Sequence, residues 1–274
     1  MRLGFALAGL CACNQVYGLE QTRLPPPDAP YACPEIGAPA PVFSRLIFQA
    51  STQQSASYHF NTTGTLAVAS TYEGVYLGRF GETLTLSTEI VPQSGYYFDD
   101  PHPNPAGDRL YIQSNFEPTS ASGAAGSGIA VYEQVSGAWR LQQNLPPTVA
   151  AKGRPSTVFR GPTGDRMIFN GALALEEYEQ DGTAWVMRGP AHRRSELRID
   201  LYVAMAITSD GLRAVFRGDD NTQMLYADRP NLESWFGPPQ ILVGVPKVGD
   251  AQLTDDCSRI YYSGLNATFY SQQQ

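Results

Sequence analysis

Three aspartates, two histidines and one arginine have the types and placing that could do chemistry in this chain: Asp99, Asp100, Asp250, His59, His102 and Arg154. Two carboxylates hydrolyse a glycosidic bond without any histidine, one as acid and the other as base or nucleophile, which makes Asp100 and Asp250 the pair to consider. Histidine chemistry has little to draw on, since His59, His102 and His192 are the only histidines in 274 residues. A histidine triad or metal cluster is therefore not expected, and neither metal nor cofactor is assigned. The sequence has no Gly-rich phosphate loop, no Cys-x-x-Cys pair, no zinc-protease helix and no Gly-x-Ser-x-Gly elbow. Glu176-Glu177-Tyr178-Glu179 could attract calcium but lacks the spaced oxygen ligands of a calcium loop. Arg188, His192, Arg193, Arg194 and Arg198 read as a solvated basic connecting loop.

Position in a repeat singles out the first six. Thr208-Ser-Asp-Gly-Leu-Arg-Ala-Val-Phe-Arg-Gly218, a turn and then a short strand, has degraded copies at Gly107–Ser114, Gly164–Gly171, Cys257–Gly264 and Gly64–Ser70. Aligned on the first apolar residue after the turn, the copies fall at Leu66, Leu110, Met167, Ala214 and Ile260, with intervals of 44, 57, 47 and 46. Periods near this size belong to four-stranded propeller blades, which span roughly 40 to 45 residues in the commonest type. The longest interval contains the small-residue insertion Glu117–Gly128. Asp108, Asp165 and Asp210 sit where a tight turn needs positive φ, which Gly, Asn and Asp tolerate, so they read as turn chemistry. Arg109, Arg166, Arg213 and Arg259 recur at one place in four copies and predict hydrogen bonds from blade to blade.

Within each copy an inner strand leads into the turn, a second follows, a third centres on a tyrosine, and an outer strand is marked by Trp139, Trp185 or Trp235. Counting seven residues back from the turn glycine, or its equivalent, gives the inner-strand mouth: Asp100, Thr157, Ala204 and Asp250 in successive copies. Asp99 and His102 flank the first, and His59 and Arg154 lie on or beside neighbouring inner strands. Ligands of a propeller enter where inner strands open into the channel, which makes these six the candidates. The plainer alternative is a rim of solvated charges.

Composition agrees with an all-β fold. Charged residues make up 16% while Gly (26), Pro (21) and Tyr (15) are plentiful, as suits many short strands and turns. A net charge of −7 argues against a nucleic-acid partner. The expectation is a single β-propeller of five four-stranded blades. Its last copy lacks a fourth strand, and the orphan strand around Phe43–Phe48 is placed there, closing the ring and removing exposed sheet edges.

Met1-Arg2 and the apolar run Leu3–Leu10 read as a secretion signal, and Leu10-Cys11-Ala12-Cys13 resembles a lipobox with acylation at Cys13. Residues 1–13 are thus assigned as signal and lipobox. Residues 14–40, with Pro25, Pro26, Pro27, Pro30, Pro34 and Pro39, are assigned as a tether, and 41–274 as the propeller. If Cys11 leaves with the signal and Cys13 carries lipid, Cys33 and Cys257 remain to pair in an oxidising compartment. On the closed-ring arrangement they meet in the last blade.

Ser209–Gly218, Leu225–Arg229, Trp235–Pro239 and Asp250–Asp256 resemble consecutive parts of the TolB-type, WD40-like β-propeller repeat, and the N-terminal arrangement resembles that of bacterial envelope lipoproteins. The resemblance is good over residues 202–264 and implies a propeller at the cell envelope, without a catalytic motif. The favoured function is a non-catalytic envelope binding module. It is expected to be lipid-anchored in the outer membrane and monomeric, with an envelope protein or glycan as partner. The competing function is a glycoside hydrolase using channel carboxylates.

Overall fold

In the computed structural model the described residues are 32–43, 47–49, 57–60, 66–70, 75–79, 85–90, 96–116, 127–150, 154–170, 174–199, 205–219, 223–245, 251–264 and 267–273. Signal, lipobox and Cys13 lie outside them, as do Asp250, Ala204 and most of the insertion. Among the described residues no helix is long and apolar enough to cross a membrane.

The strands form five antiparallel sheets of four. The first holds β2 (Ser57–Phe60), β3 (Leu66–Ser70), β4 (Val75–Arg79) and β5 (Thr85–Ile90). The second holds β6 (Tyr96–Pro103), β7 (Arg109–Phe116), β8 (Ser127–Val135) and β9 (Ala138–Asn144). The third holds β10 (Arg154–Arg160), β11 (Asp165–Asn170), β12 (Ala174–Asp181) and β13 (Ala184–Arg193). The fourth holds β14 (Ala206–Ile207), β15 (Arg213–Arg217), β16 (Met224–Asp228) and β17 (Gln240–Ile241). The fifth joins the chain ends, with β18 (Ala251–Leu253), β19 (Arg259–Gly264) and β20 (Ala267–Gln272) completed by β1 (Ile47–Gln49), which pairs with β20. The orphan N-terminal strand thus stands where the repeat count put it.

Each sheet is buried on both faces because its middle strands are apolar at both parities. Along β15, Ala214 and Phe216 join Phe159 and Ile168 of the third sheet, while Val215 joins Leu253 and Ile260 of the fifth. Tyr111 of β7 packs with Val158 and Met167 of the third sheet, and Leu110 and Ile112 pack with Val68 and Leu77 of the first. First strands follow one another: β6 lies against β2 and β3, β10 against β6, β14 against β10, β18 against β14 and β15, and β2 against β19.

Turns between the first and second strands are linked sheet to sheet. The Arg160 N–H donates to Ser209 O at 2.8 Å, and Ser209 donates N–H and Oγ to the Asp255 carboxylate at 2.6 and 2.7 Å. Asp210 serves its own turn, accepting from Thr208 Oγ1 and the Leu212 N–H, and Asp256 does the same for Thr254 and Ser258. Asp165 differs, because it opens β11 and reaches back to the second sheet. At the glycine position of the turn Gly211 has φ 74°, and a Cβ there would lie 2.5 Å from Leu232 and 2.6 Å from Phe159. Cys257 holds the same left-handed position at φ 56° without being glycine, and it is bonded to Cys33 (S–S 1.99 Å).

Two expectations change. Trp139 and Trp185 stand on outer strands, but Trp235 lies in the irregular stretch before β17, where Pro230, Pro238 and Pro239 remove the donors a ladder needs. The basic cluster is not a loop. Arg188, His192 and Arg193 lie on β13, and Arg194 opens the helical turn Arg194–Leu197. Residues 32–40, the end of the Pro-rich stretch, are bonded to the fourth and fifth sheets.

Candidate functional site

His59 and His102 come together. His59 is on β2 opposite Val68, and His102 is on β6 opposite Tyr111. Their rings meet edge to face with centroids 4.6 Å apart, and the side chains are 5% and 4% exposed. Adjacent first strands account for this, since β6 lies against β2 and β3. No spacing in the sequence pairs the two, and their meeting depends on how one sheet leans on the next.

Asp99 and Asp100 are the fourth and fifth residues of β6, so they lie in mid-strand and not at its mouth. The register against β7 slips between Asp99 and Pro101, leaving Asp100 as the extra residue of a bulge. A bulge re-aims a strand locally and is common beside functional sites. The third sheet has its own slip, between Pro155 and Thr157. Arg154 is the first residue of β10, the strand beside β6. Side chains of Asp99, Asp100 and Arg154 lie outside the described residues. His59, Asp99, Asp100, His102 and Arg154 therefore share three successive first strands, while Asp250 immediately precedes β18 outside the described residues.

The described buried carboxylates have another task. Glu177, 2% exposed, lies 2.8 Å from Arg166 Nε and 2.6 Å from Arg229 Nη1. Glu179 faces Arg166 at 3.8 Å and Arg188 at 3.5 Å, and accepts from Thr163 N–H and Oγ1. Burial pulls the Arg229 guanidinium below its usual value against the opposing effect of Glu177. Phe159 and Phe236 stack on it, with its Cζ 5.5 and 4.6 Å from the ring centroids. The acidic run that could have sought calcium instead places Glu177 and Glu179 on one face of β12 as partners of arginine. The signal was there in their spacing of two, which puts both on the same side of a strand.

Between the second and third sheets, Tyr111 donates its hydroxyl to Asp165 Oδ2 at 2.7 Å, Asn104 Nδ2 lies 3.4 Å from the same oxygen, and Arg109 Nη1 3.5 Å from it. Burial, then the charge of Asp165, pushes the Tyr111 phenol well above the ordinary tyrosine value. Of the four recurring arginines, Arg109 bonds Gln180 of the next sheet and Arg166 bonds Leu232 O and Glu233 of the next, as their recurrence predicted. Arg213 turns to Pro34 O and its own Asp210, and Arg259 to Tyr261 in its own strand.

No protein family's sequence profile and no curated protein matches this chain. In fold it is similar to exo-beta-1,3-galactanase from Phanerochaete chrysosporium, solved with beta-1,3-galactotriose, at a TM-score of 0.54 and 10% identity, covering 82% of this chain and 63% of that one. A functionally unknown protein from Desulfotomaculum acetoxidans gives a TM-score of 0.45 at 11% identity, covering 81% of this chain and 62% of that one. The calcium-binding protein regucalcin from Agrobacterium tumefaciens gives 0.40 at 13% identity, covering 79% and 76%. The chain thus spans less than two thirds of the length of the galactanase and of the Desulfotomaculum protein. The likeness to the galactanase is one of fold alone, and the two lower scores carry no argument.

Proposed function

We propose that the chain is a closed five-bladed β-propeller of TolB-type kind. It is exported, held at the outer membrane through lipid on Cys13, and acts as a non-catalytic binding module for an envelope protein or glycan. The closed ring is supported by the succession of first strands from β2 to β18 and by the pairing of β1 with β20. The reading of a binding site rests on one observation, the convergence of His59 and His102 on adjacent first strands, with Asp99 and Asp100 on the second of these and Arg154 at the start of the next. Among the described residues, the buried carboxylates of Asp165, Glu177 and Glu179 accept from arginine, tyrosine and threonine donors, which suits cross-links between sheets better than proton transfer.

The second reading, a glycoside hydrolase working through Asp100 and Asp250, draws on the fold shared with the galactanase. One experiment separates the two. The full chain is offered a glycan panel that includes β-1,3-linked galactans, and is also used as bait on intact envelopes, each time beside Asp100→Asn. A partner captured by the parent and lost in the folded variant, with no glycan turned over, supports the binding module. Turnover abolished by Asp100→Asn overturns it in favour of the hydrolase.

A further inference from the structure

Residues 33–43 lie against the fourth and fifth sheets as a bound proline-rich peptide lies in its receptor. The Pro34 carbonyl accepts from Arg213 Nη2 at 2.9 Å, and the Gly37 N–H donates to Asp228 Oδ2 at 2.9 Å. Gln240 grips the segment twice, accepting the Ala40 N–H at 2.8 Å and donating to the Ala38 carbonyl at 3.2 Å. All four contacts are to the segment's backbone, so the groove holds a shape more than a sequence. Pro34, Pro39 and Pro41 stiffen the segment and add no N–H groups needing partners.

Its ends are pinned differently. Phe43 is 1% exposed, packs with Val215, Tyr226 and Ile260, and donates its N–H to Val243 O at 3.0 Å. At the other end the attachment is covalent, through Cys33 to Cys257. The two residues differ in exposure, because Cys257 is fully buried and Cys33 is half-buried. Between the pins Pro41 is buried and Ala40 packs against the core, while the other side chains are half-exposed or exposed.

We propose that residues 33–42 are a redox-released strap. It occupies, within its own chain, a peptide-binding groove formed by Arg213, Asp228 and Gln240, and swings on Phe43 when the disulfide is reduced. A dithiol reductant supplies the electrons. Its thiolate attacks Sγ of Cys33, the less buried of the two residues, and the S–S bond breaks to a mixed disulfide while Cys257 leaves as thiolate and takes up a proton. The reductant's second thiolate then attacks the mixed disulfide, releasing Cys33 as a thiol and leaving the reductant oxidised to its own disulfide. Without the covalent pin the four backbone bonds exchange readily with water. The emptied groove then offers the same four contacts to a proline-rich peptide from elsewhere.

Residue-resolved hydrogen exchange on the full chain, before and after dithiothreitol, tests the strap. Reduction should speed exchange of the Gly37 and Ala40 amides at least tenfold, while the Phe43 amide and those of β15 and β16 keep their protection. Unchanged Gly37 and Ala40 amides overturn the proposal, and so does acceleration of strap and sheets together, which would make the disulfide a staple of the whole fold. The groove is tested by fluorescence anisotropy with a labelled peptide of residues 32–42 carrying Cys33→Ser. This peptide should bind the Cys33→Ser chain, bind at least fivefold more weakly when Gln240→Ala is added, and not bind the oxidised parent. Equal binding to the oxidised parent, or none to the Cys33→Ser chain, overturns the groove.

Discussion

The seam between the third and fourth sheets and the seam between the first and second descend from the same repeat but bury opposite kinds of polar group. In the former, Arg166, Glu177, Glu179 and Arg229 compensate one another and the phenyl rings of Phe159 and Phe236 cover the charge. In the latter, the imidazoles of His59 and His102 meet edge to face. A compensated cluster of this kind is costly to disturb, because removing one member strands its partners in a medium of low dielectric. The charges of the third and fourth sheets therefore couple those two sheets, and the histidine pair is where we propose recognition to occur.

Glu177→Ala tests the strong side of this contrast. It leaves Arg166 and Arg229 buried around a missing carboxylate and should cost about 3–5 kcal/mol in urea unfolding; a loss under about 1 kcal/mol would show that the cluster is not coupled. Tyr111→Phe, in the seam between the second and third sheets, removes one donor from Asp165 but leaves Asn104 and Arg109, and should cost about 1–2 kcal/mol at neutral pH. The raised Tyr111 value sets the sign of its pH dependence. The folded state favours the neutral phenol, so the contribution is complete below the ordinary tyrosine value of about 10 and is lost as pH rises through the higher folded value. Stabilities of parent and Tyr111→Phe should accordingly converge above about pH 10 in denaturation curves taken across that range. His102→Gln should have the smallest effect on folding, about 1 kcal/mol, while reducing capture of the partner we propose. A folding cost equal to that of Glu177→Ala would erase the difference between the two seams.

Much of the architecture was legible because the repeat writes itself at a fixed interval. Four of the turns, the five second strands and the pairing of β1 with β20 follow from aligned residues such as Leu110, Met167 and Ala214, since each sheet must bury the same two faces. The Cys33–Cys257 disulfide was legible for a related reason, because the last copy of the repeat lacks a strand that the N-terminal segment can supply. Trp235 is a misleading landmark because the three prolines around it bar a regular strand ladder. The acidic run of β12 was noticed, but its partners Arg166 and Arg229 lie on β11 and just after β16, and nothing local points to them.

Sequence alone determined the number of sheets, the order of strands and the residues at each turn, because period-two burial and left-handed turn positions are local properties of the chain. Tertiary structure decided which polar groups meet. His59 and His102 are 43 residues apart, and Glu177 and Arg229 are 52 apart; each pair forms through the lean of one sheet against its neighbour. That lean depends on the summed packing of many side chains across a seam, and no short stretch of sequence carries it.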